Sequence, residues 1–258
     1  MTTIVKDNGN RKLPYEPERM ERYIWDKTTG LKLKDEDVQA YIKNIHSYIQ
    51  SREQLTIDEV NKKLIMDAEA FIDIETANWD KVAERIFLHS LYKSASKQRF
   101  YDSAEKYGSY LGLVTTLVRD GIFSETLVDS YTKEEIMTAS AFIEPERDLL
   151  FTYAGLNMLS KRYLVKTFDG ESMELPQERF LTIALYLMQN EPKDVRLSYV
   201  KSLYDALSKL QMTVATPTLA NAGHTRGQLS SCFITSPEDS LDGIYQNEMD
   251  LARVSKWG

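Results

Sequence analysis

The chain has 258 residues, of which 42% are hydrophobic and 28% charged, and its formal net charge is −7. This composition is typical of a soluble globular protein with one large or two small domains, and the acidic balance argues against broad electrostatic binding to nucleic acid. We expect a cytoplasmic protein with no membrane partner, because no apolar run approaches the ~20 residues that span a bilayer and no signal segment opens the chain. Its one cysteine, Cys232, allows neither an intrachain disulfide nor an all-cysteine metal site.

The first 95 residues predict a small hairpin followed by four helices. Two short extended pieces flank Asn8-Gly9 within residues 4–15, and Asn-Gly supplies the positive φ angles of a tight hairpin turn. Apolar residues at helical spacing then predict helices over 17–30, 35–51, from 56 onward and over 79–96. Thr56 and Glu59 form a capping-box pattern at the third of these helices. A hairpin and four amphipathic helices predict a compact first domain.

Residues 98–210 are again mostly helical in pattern. A second capping box begins at Thr132, and helices are expected to open at Pro145, at Pro176 and at Val195. Pro192 is expected to stop the helix that begins at Pro176. Between 163 and 175 the period shifts towards two around Asp169-Gly170, which predicts another hairpin. No set of side chains in this part suggests a ligand site.

The last fifth of the chain carries the candidate chemistry. Residues 229–234 read LSSCFI, a short apolar run that predicts a buried strand holding Cys232. Thr216-Pro217-Thr218 before it and the 236–239 segment after it predict turns, because proline fixes φ and the polar side chains compete for backbone hydrogen bonds. A helix is expected over 240–254, and Asp239 is one residue that could cap it.

Three motifs in this region together resemble the start of the catalytic barrel of ribonucleotide reductase large subunits. They read TPTLANAG, RGQLSSCF and EDSLDGI, and they span about thirty residues in this order. Residues 146–165 (ERDLLFTYAGLNMLSKRYLV) resemble the helical region before that barrel, and residues 1–95 resemble the ATP-cone, a regulatory domain with a β-hairpin lid over helices. The resemblance implies a mainly α fold with small β-hairpins. Its three domains would be an ATP-cone (1–95), a helical domain (96–210) and the first strand or strands of a ten-stranded α/β barrel (211–258).

The resemblance also implies the activity and the residues that serve it. The whole enzyme would reduce ribonucleoside diphosphates to deoxyribonucleotides by radical chemistry with a pair of cysteines. Cys232 would be one redox-active thiol of that pair. Binding of the substrate would fall to Thr216 and Ser231, and binding of the deoxynucleotide that sets specificity to Asp239, Ser240 and Leu241. Structural alternatives stay open: Cys232 could be a buried inert thiol, Thr216 could only order its turn, and Asp239 could only cap its helix.

An allosteric site for ATP or dATP is implied in the first domain. By position, the Lys12–Arg19 segment would line it together with three further residues: Lys6, Thr56 and Lys93. A triphosphate needs several cations around it, which these residues could supply. Asp7-Asn8 departs from the family pattern, which commonly has Arg-Asp before the glycine. Alternatively, Thr56 only caps its helix and Lys93 is a solvated surface charge.

Partners follow from the same resemblance. The chain would need the remainder of the large subunit, a small radical-generating subunit that carries the metal, and thioredoxin or glutaredoxin, and large subunits would form a homodimer. No metal is expected in this chain, and we expect it to be inactive alone, either as a truncation or as one piece of a split subunit. The alternative function is a non-catalytic module that senses ATP or dATP, and a third possibility is a defective gene fragment.

Overall fold

The computed structural model describes residues 2–6 and 11–257, with the side chains of Lys6 and Trp257 excepted. The predicted turn at Asn8-Gly9 and the departure at Asp7-Asn8 lie outside the described residues. The chain divides into two compact units, the first comprising residues 1–94 and 148–158 and the second residues 95–147 and 159–258. The three predicted domains, with boundaries after 95 and 210, stay a prediction.

The first unit holds a three-stranded sheet and helices that follow the predicted order. Its elements are β1 (Thr3–Lys6), β2 (Arg11–Pro14), α1 (Pro17–Thr28), α2 (Asp35–Gln50), β3 (Gln54–Thr56), α3 (Ile57–Ala70) and the first part of α4 (Trp79–Arg99). The strand order is β2-β1-β3, with β2 antiparallel and β3 parallel to β1. The hairpin strands and all four helices are therefore confirmed, whereas β3 was not predicted.

The core of the first unit forms around Trp79, which is fully buried. Its ring stacks on Phe71 with centroids 4.7 Å apart and meets the edge of Tyr41 at 5.1 Å. Tyr41 in turn donates a hydrogen bond to the carbonyl of Leu64 over 2.7 Å. Aromatic pairs of this geometry add to the free energy of burial and fix helix positions. The core therefore joins α2, α3 and α4.

The second unit is helical. Its helices, beginning after the last residues of α4, are α5 (Tyr110–Arg119), α6 (Thr126–Ser130), α7 (Lys133–Ser140), α8 (Tyr153–Arg162, which starts in the first unit), α9 (Pro176–Met188), α10 (Arg196–Ser208), α11 (Thr216–Asn221) and α12 (Leu241–Trp257). Short 3₁₀ helices occupy Ser103–Glu105 and Pro145–Leu150. The mainly helical part of the predicted fold class is confirmed.

Several local predictions are corrected. The predicted hairpin around Asp169-Gly170 is confirmed as a chain reversal, with an antiparallel bridge between Lys166 and Ser172 and a hydrogen bond from the Thr167 amide to the Glu171 carbonyl, but its arms are too short to form strands. The helix from Pro176 ends at Met188, before Pro192. The segment at Pro145 forms a 3₁₀ helix instead of an α-helix. Both predicted capping boxes, at Thr56 and Thr132, are confirmed.

The predicted strand at Leu229–Ile234 is wrong in this structure. The segment is neither strand nor buried; Phe233 is 47% and Ile234 is 95% exposed. A strand needs a neighbour that completes its backbone hydrogen bonds, and the described part of residues 211–257 contains no other strand to pair with it. The ten-stranded barrel therefore stays a prediction about a longer polypeptide.

Candidate functional site

Cys232 is exposed, contrary to its predicted burial. Its sulfur lies 3.6 Å from the hydroxyl oxygen of Ser231, close enough for a weak hydrogen bond in which either group donates. The whole segment from 230 to 242 is exposed. The alternative of an inert, buried thiol is thereby excluded for this structure.

We predict that Cys232 reacts with iodoacetamide in the folded protein. Exposure gives reagent access to the sulfur, so alkylation should go to completion without denaturant. Intact mass before and after adding urea measures this, with Cys232→Ser as the blank. A thiol that reacts only after urea is added would contradict the exposed position.

Thr216 begins helix α11 and does not lie in the predicted turn. Pro217 stands in the first helical turn, where a missing N–H costs nothing, so Thr-Pro-Thr starts a helix. The Thr216 hydroxyl lies 3.4 Å from the hydroxyl of Tyr163. Thr216 is thus presented at the beginning of α11 beside a second hydroxyl.

Side chains of α11 hold the beginning of the cysteine segment. Thr218 donates a hydrogen bond to the carbonyl of Leu229 over 2.9 Å, and Asn221 donates to that of Gln228 over 2.9 Å. Gly227 permits this close approach: its φ is +97°, and a Cβ there would lie 2.5 Å from the Asn221 side chain. The contacts therefore bring the chain just before Ser231 and Cys232 against the helix that starts at Thr216.

Residues 219–225 pack against residues 122–124 of the same unit, a contact that the sequence did not predict. Gly223 accepts a hydrogen bond from the amide of Ser124 over 2.8 Å, and the amide of Thr225 donates to Ile122 over 3.0 Å. His224 forms an isolated antiparallel bridge with Phe123 and packs against its ring. Burial, assisted by the charge of a neighbouring arginine, lowers the pKa of His224 to about 4, so the imidazole is neutral at pH 7.

Two pairs of buried charges lie near the beginning of α9, and Arg179 of one pair contacts residues 219–224. The carboxylate of Glu178 accepts from Nη1 of Arg99 at 2.7 and 2.9 Å, and Arg179 lies 3.6 Å from Glu174. All four residues are 0–8% exposed at their side chains. Burial raises the pKa of Glu178 to about 7, while Arg99 opposes the rise. In the sequence, Glu174, Glu178 and Arg179 look like ordinary charges around a helix start, and Arg99 looks like an ordinary cation at a helix end.

Asp239, Ser240 and Leu241 are exposed at the beginning of α12. The alternative that Asp239 only caps this helix is wrong. Ser240 holds the capping position, because its hydroxyl accepts from the amide of Gly243 over 3.0 Å. The carboxylate of Asp239 is therefore not needed to cap α12.

The sheet of the first unit brings two of the predicted nucleotide-binding residues together. Lys12 and Thr56 both pair with Val5, from opposite sides, so they lie on the same face of the sheet with Val5 between them. Both side chains are exposed. The Thr56 hydroxyl accepts from the amide of Glu59, so its capping role is confirmed and its ligand role stays a prediction. The side chain of Lys6 lies outside the described part.

Arg19 is exposed on α1 and Lys93 is exposed on α4. Burial, followed by the charges of Lys93 and Lys27, lowers the pKa of His89 to about 4. The His89 ring lies 5.7 Å from that of Tyr23, over which Lys27 is placed. Lys93 and Lys27 therefore place positive charge near a neutral histidine. The sequence predicted only Lys93 as part of a site in this place.

A cavity of about 730 Å³ opens at the other end of the sheet. Tyr15 and Pro17 line it, and both belong to the predicted Lys12–Arg19 segment; the other lining residues are Thr2, Gln50, Ser51, Arg52 and Glu53. Lys12 and Thr56 are not among its lining residues. Within the described ranges no three His, Cys, Asp or Glu side chains gather as a metal site. None of the described helices has the length and apolarity to cross a bilayer.

Comparison with known proteins identifies the family. Residues 149–227 match the family described as "Ribonucleotide reductase, all-alpha domain". Over its whole length the chain is 36% identical to the ribonucleoside-diphosphate reductase subunit alpha of Helicobacter pylori (strain 26695), spanning 31% of that protein. It is 37% identical over 82% of its length to the Treponema pallidum subunit alpha, spanning 25% of that protein. For the Escherichia coli K12 reductase 1 subunit alpha, the values are 30% identity over 78% of the chain and 26% of the relative. The chain therefore belongs with the ribonucleotide reductase large subunits and spans about a third or less of their length.

Proposed function

We propose that this chain forms the amino-terminal part of a ribonucleoside-diphosphate reductase large subunit and carries one of its two redox thiols. The observation that carries this proposal is the similarity to alpha subunits over the whole chain, a span in which Cys232 is exposed. An exposed run of apolar residues in the same region supports a missing neighbour: Ile234, Leu241, Ile244, Tyr245 and Met249 are each 49% or more exposed. The remainder of the large subunit is the partner that this surface fits.

The proposed reaction replaces the 2′-hydroxyl of a ribonucleoside diphosphate with hydrogen. Two thiols supply two electrons and two protons; they become a disulfide while the hydroxyl leaves as water. Cys232 would be one thiol, and the second would come from the polypeptide outside these 258 residues. A radical supplied by a metal-containing small subunit would start the chemistry, and thioredoxin or glutaredoxin would reduce the disulfide. Thr216 and Ser231 would bind the substrate through hydroxyls that can donate or accept.

Effector binding is proposed at two places. Asp239, Ser240 and Leu241 would hold the deoxynucleotide that sets specificity. The ATP-cone would hold ATP or dATP through the predicted residues Lys6, Lys12, Arg19, Thr56 and Lys93. The described members of this set fit a polyphosphate, because Lys12, Arg19 and Lys93 are exposed cations and Lys12 shares a sheet face with Thr56. Large subunits would pair as a homodimer in the cytoplasm.

We predict that Lys12→Ala and Lys93→Ala each weaken ATP binding to the chain by about tenfold, the loss of one charge-assisted contact. Isothermal titration calorimetry measures this affinity. Lys62→Ala is the matched control, because Lys62 is an exposed lysine of the same unit outside the proposed site. Equal affinities of all four proteins would contradict the proposed cone site.

The decisive experiment is purification from the native source with intact-mass analysis of the chain and of everything that co-purifies. A second chain carrying the remaining barrel, in an assembly that reduces a ribonucleoside diphosphate, supports a split large subunit. A single long polypeptide with that activity supports the same function and makes the 258 residues a truncation. This chain alone, binding ATP without any reductase partner, would favour the sensing module instead. Turnover by the isolated chain would contradict the need for a second thiol.

A further inference from the structure

Arg179 is fully buried, and three of its five N–H donors bind one short stretch of chain, residues 219–224. Its Nε donates to the carbonyl of Leu219 over 3.0 Å, its Nη2 donates to the carbonyl of Ala222, and its Nη1 donates to Nε2 of His224 over 3.2 Å. Its charge is balanced by Glu174 at 3.6 Å. Burying a guanidinium is costly unless such partners satisfy it, so these contacts belong together as one unit.

The two carbonyls that Arg179 binds lie at the end of α11. Leu219 is in the last turn of that six-residue helix and Ala222 is its C-cap. The last carbonyls of a helix have no partner within it, and a cation there is favourable. A helix this short is marginal without tertiary contacts. Arg179 therefore caps α11 from α9, and the position of α11 depends on it.

Two further contacts show that the capped stretch is held in one orientation. Gly223 has a φ of +83°, and a Cβ at that position would lie 2.8 Å from Cγ2 of Thr182 on α9. Nε2 of His224 must accept from Arg179, which has no acceptor, so the ring proton is on Nδ1. The segment is thus fitted to α9 through its backbone and through one tautomer of His224.

We propose that Arg179 is a positioning residue for the substrate: by capping α11 it fixes where the Thr216 hydroxyl meets a ribonucleoside diphosphate. Thr216 is the first residue of α11, one turn before Leu219. The identity of the ligand rests on the function proposed above. The capping of α11 by Arg179 rests only on the observed hydrogen bonds. Arg179 itself touches no substrate.

The first test is hydrogen exchange of the 258-residue chain carrying Glu174→Gln with Arg179→Met. The double variant avoids leaving Glu174 as an unpaired buried charge. Amides of Leu219, Ala222, His224 and Thr225 are hydrogen-bonded in the folded chain, and we expect them to exchange at least ~10-fold faster, while amides in α9 and α10 change less than about twofold. Unchanged exchange at these four amides would overturn the proposal.

Two variants separate capping from a general loss of stability. Arg147→Met removes another buried arginine, which binds Glu144, Asp205 and Ser208, and should not affect the four amides selectively. Arg179→Lys keeps the charge opposite Glu174 but cannot donate to three separated acceptors, so it should lose the same protection. Normal protection in Arg179→Lys would overturn the capping geometry.

The second test uses the large-subunit assembly that contains this chain. We expect the Glu174→Gln and Arg179→Met pair to raise KM for a ribonucleoside diphosphate about tenfold with kcat within about threefold, and Thr216→Val to do the same. Adding Thr216→Val to the Glu174→Gln and Arg179→Met pair should raise KM little further, because both changes remove the same contact between Thr216 and the substrate. Fully multiplicative effects would overturn the link to Thr216. A wild-type assembly that reduces no ribonucleoside diphosphate would overturn the proposed function and the assigned substrate, while the exchange result would still decide the hold on α11.

Discussion

Arg99→Met should lower the free energy of unfolding of the second unit by about 3 kcal/mol or more, the usual cost of removing one partner from a buried ion pair. Nη1 of Arg99 bridges both oxygens of Glu178 at 2.7 and 2.9 Å, and Nη2 donates to the carbonyl of Ser109 over 3.0 Å. The side chains are 8% and 0% exposed, so water cannot replace the arginine. Urea unfolding at pH 8 measures the loss.

The double variant with Glu178→Gln tests the cause. The glutamine side chain carries no charge, so Arg99→Met should cost much less in the Glu178→Gln background than in the wild-type chain. Arg119→Met is the surface control: Arg119 pairs with Asp120, both side chains are at least 41% exposed, and exposed pairs of this kind contribute little to stability. An equal loss in Arg99→Met with and without Glu178→Gln would show that the buried charge is not the cause.

The parts of the fold that could be predicted are those that neighbouring residues determine. Thr56 and Thr132 cap their helices through residues three positions away, so the sequence contains both partners. The strand β3 was missed because its three residues, QLT, become a strand only by pairing with β1, some fifty residues earlier. Such pairing leaves no local signal.

At residues 229–234 a strand was predicted where the structure has none. Their apolar run is typical of a strand, but a strand also needs a neighbour, and LSSCFI does not reveal whether one is present. Thr216-Pro217 was interpreted as a turn because proline is common in both turns and first helical turns. The contacts of Arg179 with the carbonyls of Leu219 and Ala222 favour the helix, and they come from α9, some forty residues earlier in the chain.

The buried charges were invisible for a related reason. Glu174, Glu178 and Arg179 surround Pro176 at the start of an amphipathic helix, where charged residues usually face water. All three are fully buried, and Glu178 and Arg179 are each matched by partners distant in sequence. Sequence similarity located the candidate chemistry at Thr216 and Cys232, but only the structure shows what holds these residues.

Glu84→Gln should remove the loss of stability that Glu84 causes in the first unit as the pH rises from about 5 to 9. Glu84 on α4 is fully buried, and neither carboxyl oxygen has a hydrogen-bond partner among the described residues. Burial raises the pKa of Glu84 to about 8, opposed by Lys81 and Arg85 and assisted by Asp148 and Asp80. The folded state therefore favours the protonated acid.

The raised pKa determines that stability falls as the pH rises. An unfolded glutamate ionises near pH 4.5, so below that pH both states are protonated and the folded state carries no penalty. As the pH rises to about 8, the folded state must either retain a proton or bury a charge, and stability falls. At roughly 1.4 kcal/mol for each unit of pKa difference, the wild-type chain should lose about 3–4 kcal/mol across this range relative to Glu84→Gln.

The Glu84 carboxyl group lies on the part of α4 that binds residues 148–158 of the same unit. Lys81 donates to the carbonyls of Leu149 and Phe151, and Tyr92 donates to Asp148 over 2.6 Å. Ionised Glu84 would add a charge near Asp148, so this segment should loosen first as the pH rises. Hydrogen exchange of residues 148–158 at pH 6 and pH 9, after correction for intrinsic rates, measures that loosening.

Urea unfolding of the wild-type chain, Glu84→Gln and Glu75→Gln at pH 5, 7 and 9 gives the stability differences. Glu75 is exposed in the same unit, so its variant should follow the wild-type curve. We expect the free energy of unfolding of Glu84→Gln to rise relative to that of the wild-type chain and of Glu75→Gln with each step in pH, because a neutral amide has no proton to lose. Parallel curves for all three proteins would mean that Glu84 is hydrated or paired in solution, and the pH dependence would then have to come from other groups.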